Sequence, residues 1–264
     1  MPLLPPFNLL RGWLIDMDGV IYRGDEPTPG AAEFVAALQQ GDYHFLFVTN
    51  NATKTPAQYV QKLAQMAIFV SEEDVFTSPL ATAAYLLAHY PPPRRVLVVG
   101  GEGIRRAVDE AGYERVGRAE EAQVVIAGLD QQVTYAQLAE ASLAIDAGCP
   151  FIATNPDLNV PSERGNMPGA GALLAFLEAS SGKKPVVIGK PGLGIFTEAL
   201  ARLGVRAEDT VMLGDRLETD ILGGHRAGLR TLCTLTGIAS QSEAEAYNPR
   251  PDWIIPDLTA LLAR

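Results

Sequence analysis

The chain has 264 residues, 47% of them hydrophobic and 20% charged, enough for one large core or two modest ones and incompatible with global disorder. Its formal net charge of −10 argues against a nucleic-acid or anionic-membrane partner, which would demand clustered Lys and Arg. Cys149 and Cys233 lack a CxxC partner or a histidine at zinc-ligand spacing, and Pro2, Pro5 and Pro6 interrupt the apolar N-terminus. The sequence therefore predicts reduced thiols, no signal peptide, no membrane span and a cytoplasmic location.

Apolar runs bounded by Gly, Pro, Asn and Asp recur along the chain, and most precede a stretch of helical spacing, the pattern of parallel βα units. In chain order this predicts strand 13–15, helix 31–40, strand 45–48, helix 56–65, strand 96–99, helix 104–111 and strand 124–127. Helix 135–147, strand 151–153, helix 171–179, strand 186–188, helix 195–203, strand 211–213 and helix 217–227 follow. Polar motifs occupy positions 16–51 and 189–220, and the stretch between them carries strands and helices of its own. The expected architecture is α/β: a Rossmann-like, doubly wound parallel-sheet core over 1–79 and 185–264, with a smaller α/β domain inserted over 80–184. Pro79 and the Pro91-Pro92-Pro93 run read as breakers near the outgoing crossing, and residues 180–184 as the returning linker.

Asp16 and Asp18 follow directly on the first apolar run, at the outgoing end of a buried strand, where open α/β sheets keep their active sites. Gly19 permits the chain to turn away at once, so both acids can meet one ligand. Alone, the pair reads as well as two turn-stabilising acids. The ordered partners Thr49-Asn50-Asn51, Gly189-Lys190-Pro191 and Gly214-Asp215 through Asp220 shift the reading towards phosphoryl chemistry. A strand-tip Asp16 has the geometry of an in-line nucleophile, and Asp18 that of an acid/base for the leaving oxygen. Carboxylates facing a phosphate repel, since like charges about 4 Å apart cost on the order of 4 kcal/mol at an effective dielectric near 20. A divalent cation is therefore required. Asp215 and Asp220, with Asp16 and the backbone carbonyl of Asp18, offer the hard oxygens that Mg²⁺ accepts, although Asp220 reads equally as a helix-surface charge. Lys190 suits a phosphoryl oxygen or plain solvent, and Thr49 with Asn50 suits a phosphate cradle or an N-cap.

In this order and separation, DMDGV, TNNATK, GKP and GDRLETD resemble the four motifs of the haloacid dehalogenase superfamily of aspartate-nucleophile phosphotransferases. The insert is similar to the α/β cap of its NagD-like and p-nitrophenylphosphatase-like branch, through Val125 to Asp130, Ala153 to Asp157 and Pro168 to Gly171. Met17 replaces the commoner Leu of the first motif, a swap that conserves volume. The resemblance implies a Mg²⁺-dependent phosphatase of small phosphate monoesters acting through an aspartyl-phosphate. Asp16 would be the nucleophile, Asp18 the acid/base, and Lys190 the charge stabiliser. Thr49, Asn50, Asn51 and Lys190 would bind phosphate, and Asp16, Asp18, Asp215 and Asp220 would surround Mg²⁺. Residues 156–162 resemble the cap loop that overhangs the substrate, so Asp157 and Asn159 contact the leaving group or merely form its turns. The branch also implies a homodimer through the cap.

Two other readings start from the same residues. Gly100-Gly101-Glu102-Gly103 before a helix suggests dinucleotide binding, but the last glycine of G-x-G-x-x-G, counted from Gly101, is Arg106. A receiver module also uses an acid pocket, Thr and Lys, yet it is about half this length and orders its acids differently. A phosphotransferase or mutase would share the aspartyl-phosphate, and the physiological ester stays open because the core motifs address only the phosphoryl group.

Overall fold

The structure is a computed structural model that describes residues 2–41, 43–162 and 165–263. It divides into two compact units, one formed by 1–49, 56–76 and 196–264 and the other by 50–55 and 77–195.

The first unit is built on a six-stranded sheet ordered Trp253–Ile255, Arg230–Thr234, Thr210–Gly214, Gly12–Ile15, His44–Thr49 and Val75–Thr77. The pairings from Trp253–Ile255 through His44–Thr49 are parallel. Gly12–Ile15 and Thr210–Gly214 are buried at every position, as strands covered on both faces must be. Gly12 is what lets this centre close up, because a Cβ there would press on the Thr210 and Leu203 side chains. Trp13 meets Phe34 edge-on at 5.1 Å, joining the central strand to helix Ala31–Gln40. Phe47, Tyr59, Val211, Leu213 and Leu232 complete the same buried cluster. Helix Ala31–Gln40 buries Phe34, Val35 and Leu38 at helical spacing, and helix Pro56–Gln65 buries Tyr59 and Leu63.

The second unit carries a five-stranded parallel sheet ordered Val186–Val187, Phe151–Ala153, Val124–Ala127, Arg95–Val99 and Glu114–Val116. Its core joins Val125, Ala127 and Phe151 to Leu138, Ala141, Leu174 and Leu177 of helices Tyr135–Asp146 and Ala170–Ser181. A short antiparallel hairpin pairs Asn159–Ser162 with Gly165–Pro168. Both units are thus parallel sheets flanked by helices, the α/β class the periodicity predicts.

Three local expectations are corrected. Pro79 breaks nothing: it lies in the first turn of helix Ser78–His89, where no N–H is needed, and Thr77 caps that helix by accepting from Leu80 N–H at 3.5 Å. Ser180 and Ser181 are helical rather than linker, because the Ser181 hydroxyl donates to the Leu177 carbonyl at 2.7 Å and the helix stops only at left-handed Gly182. The helix expected over 217–227 is a π-helical turn, Leu217–Ile221, running into a short α-helix, Leu222–Arg226.

Candidate active site

In the first unit, the two buried central strands end side by side, and each hands an acid to the same place. Asp16 follows Gly12–Ile15 and is tied to the neighbouring strand by its own N–H, which donates to the Leu213 carbonyl at 2.9 Å. Asp215 follows Thr210–Gly214, and the π-helical turn after it returns Asp220 towards the strand ends. Single-turn π-helices recur at functional sites because the extra residue re-aims a side chain. The three carboxylates place oxygens within 4.8 Å of one another, with Asp16 7%, Asp215 1% and Asp220 0% exposed.

Glycines make that convergence possible. Gly19 has φ +87°, and a Cβ there would strike the Asp215 carboxylate, so both its conformation and its contact exclude other residues. A Cβ on Gly237 would strike the same Asp215 oxygen, and one on Gly214 would strike Asp220. Asp215 Oδ2 accepts the Ile238 N–H at 2.8 Å, and the Thr236 hydroxyl donates to the Gly19 carbonyl at 2.6 Å, locking the two loops together. Asp220 Oδ2 accepts the Arg216 N–H at 3.1 Å.

Three buried carboxylates at this spacing make three repelling pairs, each costing on the order of 4 kcal/mol at an effective dielectric near 20 and together roughly 10 kcal/mol. Their donor set is all hard oxygen. Mg²⁺ holds such ligands at about 2.0–2.1 Å, so no two of them lie more than roughly 4.2 Å apart, and carboxylates whose oxygens all fall within 4.8 Å of one another are close enough to share one ion. The residues fit a divalent cation.

The Asp18 carboxylate lies outside this group and is exposed. The Tyr22 hydroxyl donates to Asp18 Oδ2 at 3.4 Å, and the Lys62 ammonium sits 3.8 Å from the centre of the Tyr22 ring. Burial, reinforced by the Asp18 charge, pushes the Tyr22 and Tyr59 hydroxyls well above the ordinary tyrosine range, and a hydrogen bond with Thr49 partly offsets this at Tyr59. Thr49 itself ends strand His44–Thr49 and is buried. Burial, with the charges of Asp220 and Asp215, pushes the Cys233 thiol up to about 12, so it is protonated and inert at neutral pH. Tyr22, Tyr59 and Lys62 were not singled out by sequence reasoning, and their only advance signal is an aromatic three residues beyond DMDG.

The second unit holds the remaining residues. Lys190 is 2% exposed, and the Asn50 carboxamide grips its main chain: Asn50 Oδ1 accepts the Lys190 N–H at 2.8 Å while Nδ2 donates to the Lys190 carbonyl at 2.8 Å. The same Nδ2 donates to Asp157 Oδ1 at 3.2 Å. Asn51 Oδ1 accepts from the N–H and hydroxyl of Thr53, at 3.0 and 2.7 Å, organising its own turn. Asp157 is half-buried, whereas Asn159 is exposed at the start of the hairpin. Gly100 and Gly101 form the turn between strand Arg95–Val99 and helix Glu102–Glu110, and Gly103 is buried in the first turn of that helix.

A parallel-sheet protein with three buried acids converging beyond its strand ends is, as a class, a metal-dependent α/β enzyme. The comparisons make this specific. The model of the haloacid dehalogenase-like hydrolases matches residues 13–114, and a second, HAD-hydrolase-like, matches 187–261. The chain is 38% identical over 253 residues to an acid sugar phosphatase of Staphylococcus epidermidis, covering 96% of this chain and 97% of that one. To the 5'-nucleotidase YutF of Bacillus subtilis it is 41% identical over 249 residues, covering 94% and 96%. Its fold matches the crystal structure of glycerol phosphate phosphatase Rv1692 from Mycobacterium tuberculosis in complex with magnesium, with TM-score 0.89 and 38% identity over 96% of this chain and 77% of that one. The chain belongs to the haloacid dehalogenase-like hydrolases.

Proposed function

We propose that this chain is a Mg²⁺-dependent phosphatase of small-molecule phosphate monoesters, and the observation that carries the reading is the buried Asp16–Asp215–Asp220 group. Asp16, Asp215 and Asp220, with the backbone carbonyl of Asp18, hold the cation. Its chemistry is to neutralise charge on the phosphoryl group and its attacking carboxylate. An Asp16 oxygen attacks phosphorus as the bond to the leaving oxygen breaks, and Asp18 gives that oxygen its proton. Asp18 then takes a proton from the water that attacks the aspartyl-phosphate, releasing inorganic phosphate and the free Asp16 carboxylate. Lys190 and Thr49, with main-chain N–H groups of the Asn50-Asn51 segment, stabilise the phosphoryl oxygens.

Residues 1–79 and 185–264 serve as catalytic core and 80–184 as a cap whose Asp157 and Asn159 address the leaving group; a homodimer forms through that cap. No described helix is long and apolar enough to cross a membrane, and the free Cys149 and Cys233 suit the reducing cytoplasm in which we place the enzyme. The relatives named above act on a sugar phosphate, a nucleotide and glycerol phosphate, so the substrate is sought among esters of hydroxylated metabolites. The test is phosphate release from sugar phosphates, nucleoside monophosphates, glycerol phosphate, phosphoglycolate and p-nitrophenyl phosphate, with Mg²⁺ and with excess chelator. Mg²⁺-dependent release from at least one ester is expected. Release from none, or rates indifferent to chelator, would overturn the proposal.

A further inference from the structure

Asn50 stands where a side chain cradling phosphate is expected, yet its carboxamide is turned onto the protein. A primary amide has two N–H donors. One is given to the Lys190 carbonyl at 2.8 Å and the other to Asp157 Oδ1 at 3.2 Å, while Oδ1 takes the Lys190 N–H at 2.8 Å. No donor of the side chain is left for a phosphate oxygen.

The arrangement copies a strand partner. One carboxamide pairs with both the N–H and the carbonyl of a single residue, which fixes the φ and ψ of Lys190 and hence the direction in which its side chain leaves the backbone. The clamp is itself anchored, since the Asn50 carbonyl accepts from the Ser78 hydroxyl at 2.8 Å and from Asn155 Nδ2 at 2.9 Å. Close packing adds to this: a Cβ on Gly189 would lie 2.7 Å from Asn50 Oδ1, so only glycine lets the amide reach the lysine from that side.

We propose that Asn50 is a positioning residue, acting on turnover through Lys190 rather than by a side-chain bond to phosphate, and that its shared Nδ2 ties Asp157 to the same clamp. The inference rests on the phosphatase reading for the importance of Lys190, and a bland alternative is that Asn50 merely holds a buried loop together.

A mutant cycle separates these. Wild type, Asn50→Ala, Lys190→Ala and the double variant are compared for kcat and KM on p-nitrophenyl phosphate at saturating Mg²⁺, with thermal midpoints as a control. A clamp that sets lysine geometry is expected to lower kcat by about 100-fold in Asn50→Ala, as small misplacements of catalytic groups do. In the Lys190→Ala background the same change is expected to have no further effect, because there is no ammonium left to position. An equal fall in both backgrounds would overturn the proposal in favour of direct phosphate binding or loss of folded protein.

Hydrogen exchange of the Lys190 main-chain amide gives a reading independent of activity. It is expected to quicken at least tenfold in Asn50→Ala while the amides of Val124–Ala127 keep their protection. Unchanged exchange would overturn the clamp even in an active enzyme, and quickened exchange in a protein that releases no phosphate would uphold the clamp while rejecting the phosphatase reading. If Asn50→Ala does not fold, Asn50→Leu serves in both measurements, since it nearly keeps the size of the side chain and loses both the acceptor for the Lys190 N–H and the two donors.

Discussion

Gly237 lies directly against the Asp215 carboxylate, so closely that a Cβ at that position would overlap its oxygen and both adjoining carbons. The next residue, Ile238, donates its N–H to Asp215 Oδ2, so the loop both presses on the acid and aims it. Gly237→Ala is therefore expected to swing Asp215 out of line with Asp16 and Asp220 and to weaken Mg²⁺ binding by about 10- to 100-fold, the range for groups that orient metal ligands. Calorimetric titration of the variant with Mg²⁺ checks this. Gly117→Ala, where a Cβ would meet nothing within 4 Å, is the matched control and should bind Mg²⁺ as the wild type does.

Asp16→Asn keeps the shape of the strand tip but removes both the nucleophilic charge and one of three mutually repelling carboxylates. Turnover should fall by about a thousandfold or more, as it does when a nucleophile is lost. Without metal the fold should be no less stable than wild type, because a like-charge contact has been relieved. Steady-state phosphate release and a chemical denaturation curve in chelator are the two measurements. Appreciable turnover would remove Asp16 from the covalent role, and a large loss of stability would mean that its charge is needed for folding.

The strands whose residues are apolar on both faces were legible. Val124–Ala127 and Phe151–Ala153 are uninterrupted apolar runs, and the structure keeps the predicted bounds of both. Arg230–Thr234 was not read, because two of its buried residues are threonines; the Thr231 hydroxyl donates to Asp252, 21 positions away. Val75–Thr77 passes straight into helix Ser78–His89 with no loop to mark the change. At the site, the acids were visible because motif spacing places them at strand ends. Their supports were not: Gly237 against Asp215, Asn50 on Lys190 and Tyr22 beside Asp18 are contacts between residues far apart or of ordinary type, which no local pattern encodes.

Metal removal should also register in stability. If Mg²⁺ binds only the folded site, a concentration 100 times its dissociation constant stabilises by about 2.7 kcal/mol. That corresponds to a rise of several degrees in the unfolding midpoint. Differential scanning calorimetry with Mg²⁺ and with excess chelator reads it, and Asp215→Asn should abolish the difference. The same midpoint in both buffers would mean that the three acids hold no ion in the folded protein.

The Tyr22 hydroxyl and Asp18 make a sharper prediction, because the consequence of losing their contact depends on the substrate. Tyr22 is 1% exposed, held beneath the Lys62 ammonium, and its hydroxyl reaches Asp18 Oδ2 at 3.4 Å. Lys62 is in turn 3.7 Å from Asp25, so the ammonium over the ring is itself tethered. A long hydrogen bond contributes little energy, but it restricts the rotation of an otherwise exposed carboxyl group. If Asp18 protonates the leaving oxygen, poor leaving groups need it and good ones do not. Tyr22→Phe should then lower kcat by roughly two- to tenfold for alkyl esters such as glycerol phosphate, an effect of the size of one modest hydrogen bond. For p-nitrophenyl phosphate, whose departing phenolate is stable without a proton, kcat should stay within error of wild type. Equal losses on both esters would show that Tyr22 supports the fold of the strand tip and not the orientation of Asp18.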